Sequence, residues 1–253
     1  MRMPRGSDAA RWLFTAILVL LSPGLLISFL AQASSFLGLR VTGLVPDIFD
    51  FLMSIDTFST QLAFAFLVGA SLGLVLAFEV EKIPKLGTAA WYVHLVSHEL
   101  VHATLAKACG YKISEIKLTR HGGYVSYYKP NRHGNFLISL GPYILPPIPI
   151  ILLLASALVK GRLQVGIILL LGAAFTSHVV GTAREILDQY DVRQSGLSFS
   201  LVFVFLANLI LGVAVMRVAA PGRVSLTRFF LDAAALDGRY LSLVVESIVR
   251  LIS

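Results

Sequence analysis

Thr88-Ala89-Ala90-Trp91-Tyr92-Val93-His94-Leu95-Val96-Ser97-His98-Glu99-Leu100-Val101-His102-Ala103-Thr104-Leu105-Ala106-Lys107-Ala108 decides how this chain is read. The run is mostly apolar and long enough to cross a bilayer, which takes about 20 residues of helix. Inside it stands Ser97-His98-Glu99-Leu100-Val101-His102. On a helix, His98 and His102 project from one face a turn apart. Two imidazoles so spaced can close on one tetrahedral zinc, and Glu99 can reach a metal-bound water and take its proton. The plain alternative is a helix with polar packing residues. Ionisable groups in lipid-length sequence are costly and usually functional, which favours zinc chemistry.

Composition sets the setting. The chain has 253 residues, 57% of them hydrophobic, and a mean hydropathy of +0.81. That apolar excess excludes a soluble domain. The closely spaced apolar runs imply one all-α polytopic membrane protein with about six transmembrane helices. The net charge of +7 is scattered over loops and ends. It suits the lipid bilayer and topology signals, and no basic stripe suggests nucleic acid. The single Cys109 excludes an internal disulfide and a multi-cysteine metal site. It is expected to end its helix beside Gly110 as a small buried residue.

In chain order, the first span is Trp12 to Ala31, kinked at Ser22-Pro23-Gly24. It reads as a retained anchor, because its apolar run exceeds a signal-peptide core. The loop 32–57 follows, with Phe49, Phe51, Leu52 and Met53 expected to dip into the interface. Thr60 to Val80 is the second span. Its Ala65, Gly69 and Gly73 form a small-residue stripe for close helix packing. Thr88 to Ala108 is the third, with His94 one turn before His98, at the site mouth or behind a ligand. Residues 111–129 are rich in β-formers around Gly122-Gly123 and read as a β-hairpin. A hairpin cannot lie bare in lipid, so it rests at the interface or on the bundle, where an open edge can pair with an extended peptide.

Phe136 to Val159, the fourth span, holds Pro142, Pro146, Pro147 and Pro149. It must be broken, and broken helices at membrane depth line cavities. Leu163 to Ala183 is the fifth span, with His178 inside it, and Phe199 to Val218 the sixth. Residues 1–220 form the membrane-embedded domain, and 221–253 an amphipathic helical tail.

A catalytic zinc takes three protein ligands and keeps one open position. Glu185, Asp188 and Asp191 follow the fifth span; Asp237 stands in Leu236-Asp237-Gly238, after the sixth. Spans three and five run in the same direction, so their C-terminal ends reach one membrane face. That favours the cluster over Asp237. A straight helix from Leu163 would carry Asp191 past the depth of His102. The span must tilt, break near Gly181, or let the chain return. His178 is closer in depth, as a ligand or a hydrogen-bond donor to substrate. The residues themselves leave these choices open.

Residues 88–212 resemble the site-2 protease family of intramembrane zinc metallopeptidases, in a small branch without a PDZ domain. The resemblance rests on His98-Glu99-x-x-His102, the hairpin glycines at Gly122-Gly123-Tyr124, Gly141-Pro142, and an Asp two spans after the motif. The branch's second half reads here as His178, Gln189-Tyr190-Asp191, Gly196 and Phe199-Ser200. By that match Asp191 is the third metal ligand. The only Leu-Asp-Gly lies at 236–238, and Leu145 stands where the family often has Asn after Gly-Pro.

The resemblance implies one zinc per chain on His98, His102 and Asp191, with Glu99 as the general base to a zinc-activated water. His178, His94, Gln189, Gly122 and Gly123 are then candidate contacts to substrate or to the ligands. The expected substrate is a transmembrane protein or peptide, and the expected location a multi-pass position in the plasma membrane. Two other readings use the same residues: a membrane-bound zinc peptidase acting on soluble or lipidated tails, and a non-catalytic scaffold or transporter.

Overall fold

A computed structural model describes residues 6–37, 57–119, 122–128 and 135–252. Long apolar runs form long helices, α1 continuing through Pro23-Gly24, while Pro84, Gly110, Pro146-Pro147, Gly161 and Gly196 stand at joints between elements. The helices are α1 (Gly6–Leu37), α2 (Phe58–Glu79), α3 (Pro84–Ala108), α4 (Phe136–Ile144), α5 (Pro147–Leu158), α6 (Arg162–Glu185), α7 (Tyr190–Ser195), α8 (Leu197–Ala219) and α9 (Leu226–Ile252). One hairpin joins β1 (Lys112–Thr119) to β2 (Gly122–Tyr128). The all-α polytopic architecture with one hairpin is as expected.

By length and apolarity, four described helices can cross a membrane: within α1, and as α2, α6 and α8. The α4–α5 pair, bent by 60°, supplies a fifth if it is one span. The expectation was about six. The difference is α3, whose 25 residues include three histidines and Glu99, which lower its hydropathy. The expected interfacial dip at residues 49–53 lies outside the described residues.

The chain divides into two compact units, Met1–Ala63 with Phe205–Ser253, and Phe64–Val204. In the first unit α9 packs on α1, burying Phe229 and Ala233. The tail read as amphipathic is thus a long helix in contact with α1. Asp237 is buried here, and its Oδ1 accepts from the Gly24 amide at 2.9 Å. A Cβ at Gly24 would collide with that carboxylate, so the glycine permits the contact. Pro23 has no N–H for the carbonyl of Val19, four residues back. The Ser22 hydroxyl donates to that carbonyl instead, at 2.7 Å.

The second unit holds the motif. Gly69 and Gly73 of α2 lie against the backbone of Leu169 and Ala173 in α6, and Ser177 donates to the Gly73 carbonyl at 3.0 Å. The small-residue stripe is therefore a helix-packing device, as read. Pro84 opens α3 at its first turn, where a missing N–H costs nothing. Gly110, at φ 80°, lets the chain leave α3. Cys109 ends the helix as expected but is exposed rather than buried. It accepts a weak hydrogen bond from Asn135, at 3.1 Å. The hairpin rests on α3, with antiparallel register from Lys112↔Tyr128 to Thr119↔Gly122 and an irregularity between Ile113 and Glu115.

Candidate metal centre

The helical spacing of His98 and His102 brings their rings to 4.9 Å between centroids, and their Nε2 atoms to 3.1 Å. The Tyr143 ring of α4 packs edge-on against His98 at 5.4 Å. His102, 7% exposed, has its Nδ1 at 2.7 Å from the carbonyl oxygen of Ile138. A carbonyl only accepts, so Nδ1 carries the proton and Nε2 keeps its lone pair.

Asp191 arrives by a return of the chain. The α6 helix runs past Gly181 to Glu185, the chain turns over Ile186–Asp188, and α7 begins at Tyr190. Of the three routes open from sequence, this is the last. The short α7 packs on α4, which packs on α3. Gly196 takes φ 94° at the end of α7, a conformation that favours glycine. The Ser200 hydroxyl bonds back to the carbonyl of Val192 at 3.0 Å, and Phe199 meets Phe136 at 5.1 Å. So Gly196, Phe199 and Ser200 hold the helix that carries Asp191.

Asp191 Oδ2 lies 3.4 Å from His102 Nε2. One ligand atom each of His98, His102 and Asp191 falls within 4.8 Å of the others. Two bonds of about 2.1 Å at a tetrahedral angle set ligand atoms about 3.4 Å apart. The observed 3.1 and 3.4 Å fit that spacing, and two imidazoles with a carboxylate are a zinc donor set. The other acids go elsewhere. Glu185 pairs with His94 at 3.6 Å, Asp188 is 86% exposed beside Arg193, and Asp237 bonds Gly24.

Glu99 is 6% exposed and leans on the hairpin at Gly123. A Cβ there would stand 2.8 Å from Glu99 Cγ and 2.9 Å from its Oε1. The glycine thus sets where the carboxylate sits. Gly123→Ala should lower turnover by about 10²-fold, the cost of displacing a reacting group by about 1 Å. Zinc content should stay at the parent value, since no ligand moves; steady-state kinetics with metal analysis checks both. Gly122 plays a different part. Its φ of 147° shapes the turn, and open space surrounds the place of a Cβ.

The Peptidase M50B-like family model matches residues 72–222, more than half of the 253-residue chain. The chain belongs to this family. No curated protein and no solved structure matches it. At the level of the family, this M50B-like chain is an integral membrane metallopeptidase of a zinc-dependent kind. The match contains the whole of residues 88–212, where the resemblance was read.

Two cavities meet the candidate ligands of this M50B-like chain. One, of about 490 Å³, is lined by Glu99, His102, Asp191, Gln189, Gln194 and the β2 residues Gly123–Tyr127. Burial first, then the Asp191 carboxylate and Tyr111, raise the Tyr127 phenol above its ordinary range, which keeps it a neutral donor. The other, of about 240 Å³, opens beside His98 and is walled by prolines 142, 146, 147 and 149. The broken span thus lines a cavity, as expected of broken helices. His94 and His178 both line this second cavity with His98, and neither belongs to the His98–His102–Asp191 cluster. Sequence reasoning missed the Ile138 carbonyl, Tyr127 and Gln194. Gln194 lies three residues after Asp191, hence on the same helix face, and that spacing could have pointed to it.

Proposed function

We propose that this chain is an intramembrane zinc metallopeptidase that hydrolyses peptide bonds of membrane-embedded substrates, in the plasma membrane. The observation that carries the reading is the convergence of His98 Nε2, His102 Nε2 and the Asp191 carboxylate, with Glu99 on the adjoining cavity. Those three residues would hold the zinc, one per chain. When bound, zinc supplies Lewis acidity that makes water a nucleophile near neutral pH.

The protein's own groups do the remaining work. Ile138 fixes the His102 ring so that its Nε2 faces the ligand cluster. Glu99 takes a proton from the attacking water and hands it to the leaving amine. Gly123, having no Cβ, leaves room for the Glu99 carboxylate beside β2. A transmembrane helix hides its carbonyls in its own hydrogen bonds, so the substrate must unwind first. Each strand of a two-stranded sheet has one open edge. The polar cavity is lined by β2 and by no residue of β1. The opened segment therefore adds to β2 as an extra strand, beside Gln189 and Gln194.

The test is cleavage-site mapping. Single-span peptides in liposomes are incubated with the zinc-loaded protein, and the products are sized by mass spectrometry. We expect the scissile bond inside the apolar span. Cleavage confined to the flanks would favour the trimming of soluble or lipidated tails, and no cleavage at all would favour a scaffold.

A further inference from the structure

We infer that Pro142 is a positioning residue for the metal centre: by withholding an N–H, it leaves the Ile138 carbonyl free to fix the His102 ring. The inference rests on reading His98, His102 and Asp191 as zinc ligands. In an α-helix the N–H of each residue bonds the carbonyl four residues back. Pro142 sits inside α4 and has no N–H, so the carbonyl at 138 has no donor at that position. Ile138 is 1% exposed, and a buried carbonyl left unmet is costly. The donor it meets is His102 Nδ1, at 2.7 Å.

Gly141 supplies the other half of the device. A side chain there would run into Leu105 of α3 and crowd Val101. The glycine lets α4 approach α3 closely enough for Ile138 to reach His102. So Gly141 sets the distance and Pro142 frees the acceptor. The chain uses the same logic once more, in α1, where Pro23 leaves Val19 to the Ser22 hydroxyl. The next prolines, Pro146, Pro147 and Pro149, follow the end of α4, at the N-cap and in the first turn of α5, where an N–H has no helical carbonyl to bond and its loss frees none.

The consequence is a fixed tautomer. With Nδ1–H held by Ile138, the Nε2 lone pair is presented without reorganisation when the metal binds. Restoring an N–H at position 142 gives the Ile138 carbonyl a competing donor and loosens that ring.

The test uses the purified full chain and compares Pro142→Ala with Pro149→Ala, a proline of the same cavity in the first turn of α5, where a restored N–H competes for no helical carbonyl. Zinc affinity is measured by competition with a chromophoric chelator. Histidine tautomers are read by nitrogen NMR on zinc-free protein labelled at histidine. Pro142→Ala should weaken zinc binding about 10–100-fold, the usual cost of losing a partner behind a metal ligand. Pro149→Ala should bind as the parent does. In the parent, His102 should carry its proton on Nδ1, and in Pro142→Ala that signal should shift or split. Equal zinc affinity for Pro142→Ala and parent would overturn the inference. So would a parent His102 protonated on Nε2, a result available even if Pro142→Ala does not fold. A parent that binds no zinc would instead remove the metal reading on which the inference stands.

Discussion

Glu99→Gln removes about a thousandfold of the peptide-bond cleavage rate and leaves zinc in place at one per chain. The magnitude is within the 10²–10⁴ that a positioned general base contributes. The substitution keeps the shape of the side chain, so the contact with Gly123 survives and the hairpin stays on α3. What it takes away is the ability to accept a proton from the attacking water. An amide cannot do that, nor return the proton to the leaving amine. The residues proposed to hold the zinc are His98, His102 and Asp191, so metal content should not change. Measuring both quantities on one preparation separates the readings. A variant with parent-like cleavage and full zinc would end the role given to Glu99. If the cluster were only polar packing, the parent itself would carry no metal and Gln would be as good as Glu.

The fold was legible where one physical constraint dominates. Apolar runs of membrane length have few alternatives to helix, and Gly122-Gly123 between β-forming stretches has few alternatives to a hairpin. The pair of histidines could be read because both sit on one helix, where spacing alone sets geometry. Asp191 was harder, because its place depends on a turn. Nothing in residues 184–191 announces that the helix stops at Glu185 and folds back. The family resemblance singled out Asp191; the residues alone left Glu185 and Asp188 beside it. Leu236-Asp237-Gly238 shows the converse. It carries the more familiar letters, yet Asp237 meets a backbone amide at Gly24. The motif-bearing α3 is the helix that apolarity alone marks least clearly, since the polar groups within it lower its hydropathy. The Ile138 carbonyl was hidden because a backbone acceptor has no side-chain signature.

Among the acids near the end of α6, only Asp191 should govern the metal. Asp191→Ala should weaken zinc binding by more than the 10–100-fold typical of residues behind a ligand, because it removes a ligand itself. Cleavage should fall with zinc occupancy. Asp188→Ala should leave both unchanged, since its side chain is 86% exposed and faces Arg193 at 3.6 Å. Glu185→Ala should leave zinc bound, because Glu185 serves His94 at 3.6 Å. Asp191→Asn separates charge from shape: it keeps an oxygen at the site but loses the anion that offsets the dication. It should fall between Ala and the parent. The measurement is a chelator competition on each variant, with a thermal melt in the same buffer to establish folding. Zinc held equally well by Asp191→Ala and by the parent would mean that another group completes the site. His178 is then the first to examine, because it faces the proline-walled cavity beside His98. Rearrangement of that helix would be needed to bring its ring into line, so Asp191→Ala with His178→Ala would be the decisive pair.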